Sequence, residues 1–434
     1  NQSKMPQRQY SKKQTKVTKK NKRITLPISL ADYNELREDA PAFRQWLDEM
    51  IKIYPELFPV DIENGYTLHD VLPASVKLTQ VQLRRIRLHQ PAESGQRQVF
   101  TIAPSNVLPY MVGLTDEVEK ALFLRRFGVP FWGLSYVFGR NDAYWYRLSL
   151  SFGRYDIVNT TVKDENQLPE HLLADEKHVH FNGVKGYIAT TVGQDCVLGA
   201  SLALQADEPA LTRAYGHFKQ EAQTLKPAYA PQTVNTDGWR ATQNAWSTLF
   251  TSIVIIECFL HAFLKIRDRC KRQFKTLFNQ IQQQVWDIYH AADLASFRQQ
   301  VTDFQVWAAQ NLTGTALDAV EKLCAKTDIF TLAFDHPDAY RTSNMIDRHM
   351  EPMARWLHST RFFHGHWHSA ELQIRTWALF HNFWPYCPRA KISQQFRSPA
   401  HKLNGHLYHS NWLHNLLIST SAVGFDLNHR KYEN

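Results

Sequence analysis

Hydrophobic and polar positions alternate in three stretches near the middle of the chain, and this alternation predicts β-strands. The stretches cover residues 172–180, 184–192 and 196–203. Asn182 and Gly183 stand between the first two, and Asn-Gly is a strong signal for a hairpin turn. From residue 207 to residue 225 the apolar positions recur at helical spacing. The centre of the chain is therefore expected to form an antiparallel meander followed by a helix.

A short apolar strand at residues 232–236 follows, and it ends on Asp237. Gly238 breaks the strand, residues 239–249 are long enough for a helix, and residues 252–256 form a second strand. The carboxyl end of an inner strand faces the crevice where open α/β sheets bind ligands. Asp237 is therefore a candidate site residue, although an Asp in this position can also serve as the N-cap of the next helix.

The region before the central strands predicts two further units. Residues 26–110 combine helices within 30–54 with strand-like stretches at 76–88 and 98–102, which indicates an α+β module. Three short helices joined by tight turns follow, and this is the pattern of a helix-turn-helix. They cover residues 117–126, 131–138 and 143–152.

The third of these helices is the one that a helix-turn-helix would offer to the major groove. Its candidate DNA contacts are Tyr144 and Arg147, with Arg140 just before it. The alternative is that its aromatic side chains, Trp145 and Tyr146 among them, belong to the hydrophobic core.

The net charge of +9 is concentrated at the N-terminus of the 434-residue chain. Residues 1–23 contain nine Lys and Arg and no acid, and the remainder carries 41 basic and 41 acidic residues. Such an arm is expected to be disordered when free and to suit a polyanion such as DNA, with Lys12, Lys13, Lys19 and Lys20 as candidate contacts. The alternative is a terminus that only aids solubility.

The chain has no apolar run of membrane-spanning length, and its five cysteines are scattered without a CxxC pair. This composition predicts a folded protein of a reducing compartment, located in the cytoplasm and without a membrane partner.

Further candidate residues lie on both sides of Asp237. Asp175 occupies a strand position where a buried strand would carry an apolar residue. Cys258 and His261 form a Cys-x-x-His motif after the strand at 252–256, and a Gln-, Lys-, Leu- and Ala-rich helical region follows at 265–338. Next comes Arg-Thr-Ser-Asn-Met-Ile-Asp, which ends on Asp347.

The order and spacing of these motifs over about residues 168–383 resemble DDE/DDD-type transposases with an RNase H-like catalytic domain. The Cys-x-x-His motif is similar to that of Mutator-like and hAT-like transposases and their bacterial insertion-sequence relatives. The resemblance implies a mixed α/β fold, an RNase H-like core with an all-α insertion, and Asp175, Asp237 and Asp347 as catalytic, metal-binding residues. It also implies double-stranded DNA as substrate and a dimer or larger assembly.

The third acid departs from the usual pattern of these families, in which it is Glu. Glu351 lies one helical turn after Asp347 on the same face and is the alternative third acid. Pro352 would kink a helix unless it sat in the first turn. A helix that began near Arg348 would make Asp347 its N-cap, a role that could accompany or replace metal binding.

The chemistry of strand cutting and joining explains why three acids are needed. Two Mg²⁺ or Mn²⁺ ions stabilise the attacking and the leaving oxygen in phosphoryl transfer, and such hard ions prefer carboxylate ligands. The chain carries no glycine-rich phosphate loop, which argues against nucleotide-driven chemistry.

Histidine supports a competing interpretation. His364, His366 and His368 alternate, and neutral imidazoles bind Zn²⁺. The alternative is a surface loop or a segment that contacts phosphate. Cys258 and His261 are likewise either half of a zinc site or a packed pair beneath the catalytic sheet.

The sequence therefore predicts a DNA transposase that cleaves and joins DNA with divalent metal. The alternatives are a non-catalytic, transposase-derived DNA-binding protein and a structure-specific nuclease of the same fold. The expected units are a basic arm (1–25), an α+β module (26–110), a helix-turn-helix region (111–165), the first part of the catalytic core (166–264), an all-helical insertion (265–338), the last part of the core (339–388) and a basic C-terminal segment (389–434) with a helix at 403–417.

Overall fold

The computed structural model describes residues 18–92 and 95–426, which form a mixed α/β protein with two mixed sheets. The strands are β1 (Thr18–Lys20), β2 (Arg23–Leu26), β3 (Tyr66–Leu72), β4 (Leu83–Pro91), β5 (Arg97–Pro104), β6 (His171–Phe181), β7 (Val184–Gly193), β8 (Cys196–Ala203), β9 (Thr233–Thr236), β10 (Val254–Glu257) and β11 (Gly424–Asp426).

The helices of the N-terminal half are α1 (Leu30–Glu38), α2 (Ala40–Ile53), α3 (Thr115–Leu124), α4 (Phe131–Phe138), α5 (Asp142–Phe152), α6 (Ile157–Thr161), α7 (Glu208–Leu225) and α8 (Arg240–Leu249). Those of the C-terminal half are α9 (Phe259–Gln273), α10 (Phe278–Tyr289), α11 (Leu294–Asn311), α12 (Gly314–Cys324), α13 (Thr327–Asp335), α14 (Asn344–Ser359), α15 (Trp367–Phe383), α16 (Pro399–Asn404) and α17 (Trp412–Ser419). In the described part of the chain, no helix combines the length and apolar character that crossing a membrane requires.

The central sheet has the strand order β10-β9-β6-β7-β8. β6, β9 and β10 run parallel, whereas β7 pairs antiparallel with both β6 and β8. Side chains of a strand alternate between faces, and both faces of this sheet are covered. One face packs on α7 and α8 in a cluster that includes Tyr215 and Trp246, and the other packs on α14 and α15 in a cluster that includes Met350 and Trp377. The predicted meander, helix and following strands are confirmed.

The N-terminal module is a four-stranded sheet in the order β2-β5-β4-β3, and α1 and α2 share its hydrophobic core. The α+β prediction is confirmed, but its strand limits were wrong. Residues 76–82 precede β4 in turns, with Val76 98% exposed, and β3 was missed. The arm is also shorter than predicted, because β1 pairs with β11 and β2 is buried against β5.

Helices α3, α4 and α5 occur close to their predicted positions, and Asn141 caps α5 through the backbone N–H of Tyr144. The C-terminal part of α5 lies against α15 rather than in solvent. The approach is close at Gly153, where a Cβ atom would lie 2.0 Å from the carbonyl oxygen of Leu372. This contact joins the three-helix region to the central core.

A buried ion pair fixes the same junction. Arg375 of α15 and Glu221 of α7 are 2.7 Å apart, with side chains 7% and 8% exposed. Glu221 also accepts hydrogen bonds from the backbone N–H groups of Ile157 and Val158 at the start of α6. Since a buried charge without its partner is costly, this network ties α6, α7 and α15 together.

The predicted insertion has only helices as its regular elements, α9 to α13, and α9 starts at Phe259 rather than at residue 265.

The predicted single helix at 403–417 is wrong. α16 ends before Gly405, which adopts φ +75°, and α17 begins only at Trp412. Gly in this left-handed conformation is a common helix stop.

Helix α14 also starts earlier than the proline suggested. It begins at Asn344 with Ser343 as N-cap, and Pro352 lies inside it. The alternative of a start near Arg348, which would make Asp347 the N-cap, is therefore wrong. Asp347 lies within the first turn of α14, where a negative charge is favourable for the helix dipole.

Candidate active site

Asp175 lies on β6 and points to the face of the sheet that α14 covers. Its neighbours Ala174 and Glu176 belong to the opposite face, while Leu173 shares the face of Asp175. Asp175 pairs in register with Thr190 of β7 and is half-buried. Its Oδ1 accepts a hydrogen bond of 2.8 Å from the backbone N–H of Glu176.

Asp237 follows the last residue of β9, next to β6 in the sheet. Its Oδ1 accepts a hydrogen bond of 2.9 Å from the backbone N–H of Trp239, and Gly238 adopts φ +89° in the same turn. Trp239, not Asp237, occupies the N-cap position of α8. The alternative interpretation of Asp237 as the N-cap was therefore wrong, and its carboxylate shapes the turn instead.

Asp347 is exposed on the first turn of α14. Its Oδ2 accepts a hydrogen bond of 2.9 Å from the hydroxyl of Ser343. Glu351, the alternative third acid, has a side chain that is 76% exposed and lies 3.9 Å from Arg355 on the same helix.

The charges of Asp237 and Asp347 act on the carboxyl group of Asp175. Burial raises the pKa of the Asp175 carboxyl to about 6, and the charges of Asp237 and Asp347 act in the same direction. The three residues therefore face a common region, although they come from a strand, a strand end and a helix.

The donor set suits a hard divalent cation. Each aspartate uses one carboxylate oxygen in the local bond described above, and the other oxygen lies outside these bonds. Within residues 18–92 and 95–426, no three His, Cys, Asp or Glu side chains are already gathered at the separation that holds a metal ion. A cation in this region would offset the mutual repulsion of the carboxylates.

Cys258 connects the start of α9 to Asp347. Its thiol is 2% exposed and donates to the hydroxyl of Ser343 at 3.3 Å, and its sulfur accepts from the backbone N–H of Ser343 at 3.1 Å. Because Ser343 in turn donates to Asp347, the Cys258 side chain supports the third aspartate through one intermediate residue.

His261 lies within reach of the charges of Asp237 and Asp347. Contact with Cys258 raises the pKa of His261, and the charges of Asp237 and Asp347 add to that effect. Burial opposes it, but hydrogen bonds with His261 and Ser343 lower the pKa of the Cys258 thiol. Cys258 and His261 therefore form an interacting pair at the edge of the carboxylate group.

The segment before α14 is fastened to the sheet and to α9. The carbonyl of Tyr340 accepts from the side-chain amide of Asn235 on β9, and the carbonyl of Arg341 accepts from the backbone N–H of Phe259. These bonds return the chain from the helical insertion to the carboxyl end of β9. Asp347 is brought near Asp237 as a result.

Glu176 occupies the opposite side of β6 from Asp175. Its Oε1 accepts hydrogen bonds from Tyr215 of α7 at 2.6 Å and from Thr242 of α8 at 2.7 Å. Burial raises the pKa of this carboxyl to about 7. Glu176 thus joins the strand of Asp175 to the helix that follows Asp237.

The candidate DNA-binding residues of the three-helix region have different environments. Arg147 is exposed on α5, and Arg140 pairs with Glu117 at 2.7 Å and stacks over the ring of Tyr144. Tyr144 is half-buried, with its hydroxyl enclosed near Gly113. Aromatic side chains that do reach solvent include Trp132 (69% exposed) and Tyr136 (87%) on α4 and Phe127 (66%) just before it.

The basic arm is described only in part. Lys12 and Lys13 lie outside the described residues, whereas Lys19 and Lys20 belong to β1. The backbone of β1 is occupied by antiparallel pairing with β11.

The alternating histidines are spread over a loop and a helix start. The ring of His364 bonds the carbonyl of Arg361, His366 is the N-cap residue of α15, and His368 lies within that helix. They are not among any group of three metal-ligating side chains in the described ranges.

Sequence reasoning missed Ser343 and the role of Glu176. Ser343 stands four residues before Asp347 within the motif, so its spacing on a helix start could have indicated the hydrogen bond. The burial of Glu176 depends on α7 and α8, which no local pattern reveals.

A scan of the chain against models of known protein families gives no match, and a search of curated proteins gives none either.

Proposed function

We propose that this protein is a DNA transposase that cleaves and joins DNA strands with the help of divalent metal. The observation that carries the proposal is the convergence of Asp175, Asp237 and Asp347 from β6, the end of β9 and α14, with the charges of Asp237 and Asp347 acting on Asp175. A sheet and the first turn of a helix hold the carboxylates, and a metal-dependent phosphoryl transfer site requires such rigid elements.

The order of elements supports the RNase H-like interpretation. In chain order, the first strand of the central sheet carries one aspartate, a second aspartate directly follows the fourth strand, and the third aspartate comes after an all-helical insertion. This is the order that the resemblance implies for the DDE/DDD-type transposases. The exposed, Arg355-paired state of Glu351 favours Asp347 as the third acid.

Asp175, Asp237 and Asp347 would hold Mg²⁺ or Mn²⁺, which when bound supplies charge stabilisation at the attacking and leaving oxygens of a phosphodiester. The protein's own contribution is orientation. Trp239 and Ser343 fix one oxygen each of Asp237 and Asp347, and the backbone of Glu176 does so for Asp175. His261 places an imidazole with a raised pKa beside them, where its positive form would attract a DNA phosphate.

The partner is double-stranded DNA, bound through the basic N-terminal arm and the exposed Arg147 of α5. The resemblance to the DDE/DDD-type transposases implies in addition that a dimer or larger assembly of this protein binds paired element ends. Light scattering of the protein–DNA complex measures its stoichiometry.

The test is a cleavage and strand-transfer assay on DNA fragments that carry the segments flanking the gene. Asp175→Asn, Asp237→Asn and Asp347→Asn keep side-chain volume but remove a ligand charge. We expect cleavage to fall by more than about 100-fold in each, because even changes to residues that only support a ligand cost about 10- to 100-fold. Glu351→Gln, one turn away on the same helix face, is the matched control and should cut normally.

The outcomes separate the competing functions. Cleavage that proceeds in EDTA at the rate seen with Mg²⁺ would contradict the metal-dependent mechanism. Cleavage without joined product would assign a nuclease instead of a transposase. DNA binding without cleavage under any metal condition would assign a non-catalytic DNA-binding protein.

A further inference from the structure

A cleft of about 630 Å³ opens beside the carboxylates, between α9 and α12 of the helical insertion. Its floor includes Asp237, Glu257 and Cys258, so the cleft leads directly to the candidate active site. The proposed catalytic role of Asp237 does not by itself explain why the insertion leaves this space open.

The two helices form opposite walls of the cleft and run in opposite senses with respect to its floor. α9 contributes lining residues from His261 near the floor to Arg269, and α12 contributes residues from Thr315 down to Leu323. The stretch from Cys258 to Arg269 spans roughly 16 Å at the rise of an α-helix. The cleft is therefore elongated rather than round, and 'slot' below refers to this cleft.

Basic side chains occur at successive levels of both walls. Lys265 and Arg269 lie one turn apart on α9, and Lys322 lies on α12, with Lys326 just beyond its end. Residues four apart on a helix are separated by about 6 Å along its axis. That spacing is of the same order as the distance between neighbouring phosphates of an extended nucleic-acid strand.

Two acids of the cleft lining are paired with a basic side chain. Glu257 accepts a hydrogen bond from Lys326, and Asp268 is paired at 2.9 Å with Arg267, which lies beside the lining. Asp237 and Asp318 then face three basic residues, Lys265, Arg269 and Lys322, which leaves one excess positive charge. The slot then carries a positive charge that suits phosphates.

The width of the slot selects the form of the nucleic acid. α9 and α12 pack on each other in a core that includes Ile266 and Val320, so the cleft is a groove along the outer side of the pair. Its width is limited by the separation of packed helix axes, about 8–10 Å. The major groove of B-DNA alone is about 12 Å wide, so a duplex is too broad to enter. Small side chains on the walls, Ala262, Thr315 and Ala319, leave room for a single strand.

We propose that the cleft between α9 and α12 binds a single DNA strand that continues past the carboxylates, with Lys265, Arg269 and Lys322 contacting its phosphates. The proposal rests on the proposed function, because it requires the carboxylates to act on DNA. It assigns to the helical insertion the role of guiding one strand of an opened duplex end.

The experiment compares two probes bound by the full chain in Mg²⁺: a mixed-sequence blunt duplex, and the same duplex with a six-nucleotide single-stranded tail. The test protein carries Lys265→Gln, Arg269→Gln and Lys322→Gln. The matched control carries Lys271→Gln, Lys275→Gln and Arg298→Gln, which remove the same charge from the insertion outside the cleft lining. All six side chains are exposed, so both variants are expected to fold, and circular dichroism verifies this.

The wild-type protein and the control should bind the tailed duplex more tightly than the blunt one. Their log–log salt slope for the tailed probe should exceed that for the blunt probe by roughly 2, since each single-strand phosphate contact adds about 0.7. The cleft variant should lose this difference and keep its affinity for the blunt duplex.

Three results would overturn the proposal: equal binding of both probes by the wild-type protein, a tail advantage that survives in the cleft variant, or an equal loss of tail advantage in the control. If the wild-type protein binds neither probe, the proposed function fails as well. If it cuts and joins duplex ends but shows no tail advantage, only the cleft assignment fails.

Discussion

The hydroxyl of Ser343 donates a hydrogen bond of 2.9 Å to the carboxylate of Asp347, one helical turn further along the chain. Ser343 is 4% exposed and is itself held by the sulfur of Cys258 at the start of α9. The orientation of the third aspartate therefore depends on contacts with the first residues of the helical insertion. Ser343 is a positioning residue, because it acts through Asp347.

Ser343→Ala should weaken metal-dependent cleavage by about 10- to 100-fold, the range typical for loss of a residue that orients a metal ligand. The concentration of Mn²⁺ that gives half-maximal cleavage should rise, because the carboxylate loses its orienting donor. Titration of cleavage with Mn²⁺ measures both effects.

Ser343→Thr keeps the hydroxyl and should restore most of the activity. Ser359→Ala, at the other end of α14, removes an exposed hydroxyl that bonds only the carbonyl of Trp356 among its described contacts, and should behave as wild type. A Ser343→Ala protein with an unchanged Mn²⁺ dependence would contradict the positioning role.

Asp175 and Glu176 are adjacent but should respond differently to loss of charge. Asp175→Asn should abolish cleavage. Glu176→Gln should retain it, because the amide oxygen can still accept from Tyr215 and Thr242 on the opposite face of β6. Glu176→Leu, in contrast, leaves two buried hydroxyls without their acceptor and should cost about 1–3 kcal/mol for each.

Urea unfolding and the cleavage assay, applied to all three variants, test this assignment. The free energy of unfolding should fall clearly only for Glu176→Leu. Loss of cleavage in a fully folded Glu176→Gln protein would show that this carboxylate takes part in the reaction.

Local patterns were sufficient to place Asp175 on a strand and Asp237 at a strand end, because the alternation and turn residues of each strand are encoded nearby. Asp347 was singled out through its motif, but its environment was not predicted. The segment before α14 is held by bonds from Ser343 and Arg341 to the start of α9, which is distant in sequence. Pro352 alone therefore could not indicate where α14 begins.

Long-range packing also explains what local patterns did not reveal. β1 was assigned to a disordered arm because its partner, β11, lies at the opposite end of the chain. The contact of α15 with the C-terminal part of α5, which leaves Arg147 exposed, is equally distant in sequence. Neither relationship leaves a periodic signal in the residues concerned.

Deletion of residues 1–17 should weaken the binding of any DNA sequence to a similar extent. The deletion removes five Lys and Arg residues but leaves β1 intact, so the pairing with β11 is preserved. The slope of log affinity against log salt concentration should become shallower by about 0.9 for each lost phosphate contact.

Arg147→Gln should instead reduce discrimination between an element end and random DNA.

Fluorescence anisotropy at several salt concentrations measures both quantities. An unchanged slope after the deletion would show that the arm does not contact DNA. An equal loss of affinity for specific and random DNA in Arg147→Gln would show that Arg147 contacts only the backbone.

Lys163 should make the stability of the protein depend on pH. Its ammonium donates to the carbonyl of Asn159 within α6 at 2.8 Å and to that of Ser419 at the end of α17 at 2.6 Å. Burial lowers its pKa to about 7, which the charge of Glu56 only partly opposes. In the unfolded chain the pKa of a lysine is about 10.4.

Between these two pKa values the unfolded state binds more protons than the folded state, so the free energy of unfolding rises with pH. The cost of the buried charge is complete below about pH 7 and declines as the pH increases toward 10. Relative to Lys163→Met, the wild-type protein should therefore gain stability by up to about 1.4 kcal/mol per pH unit in this range. Urea unfolding of both proteins at pH 6.5, 8 and 9 measures the difference, and a difference that stays constant would contradict burial of a charged Lys163.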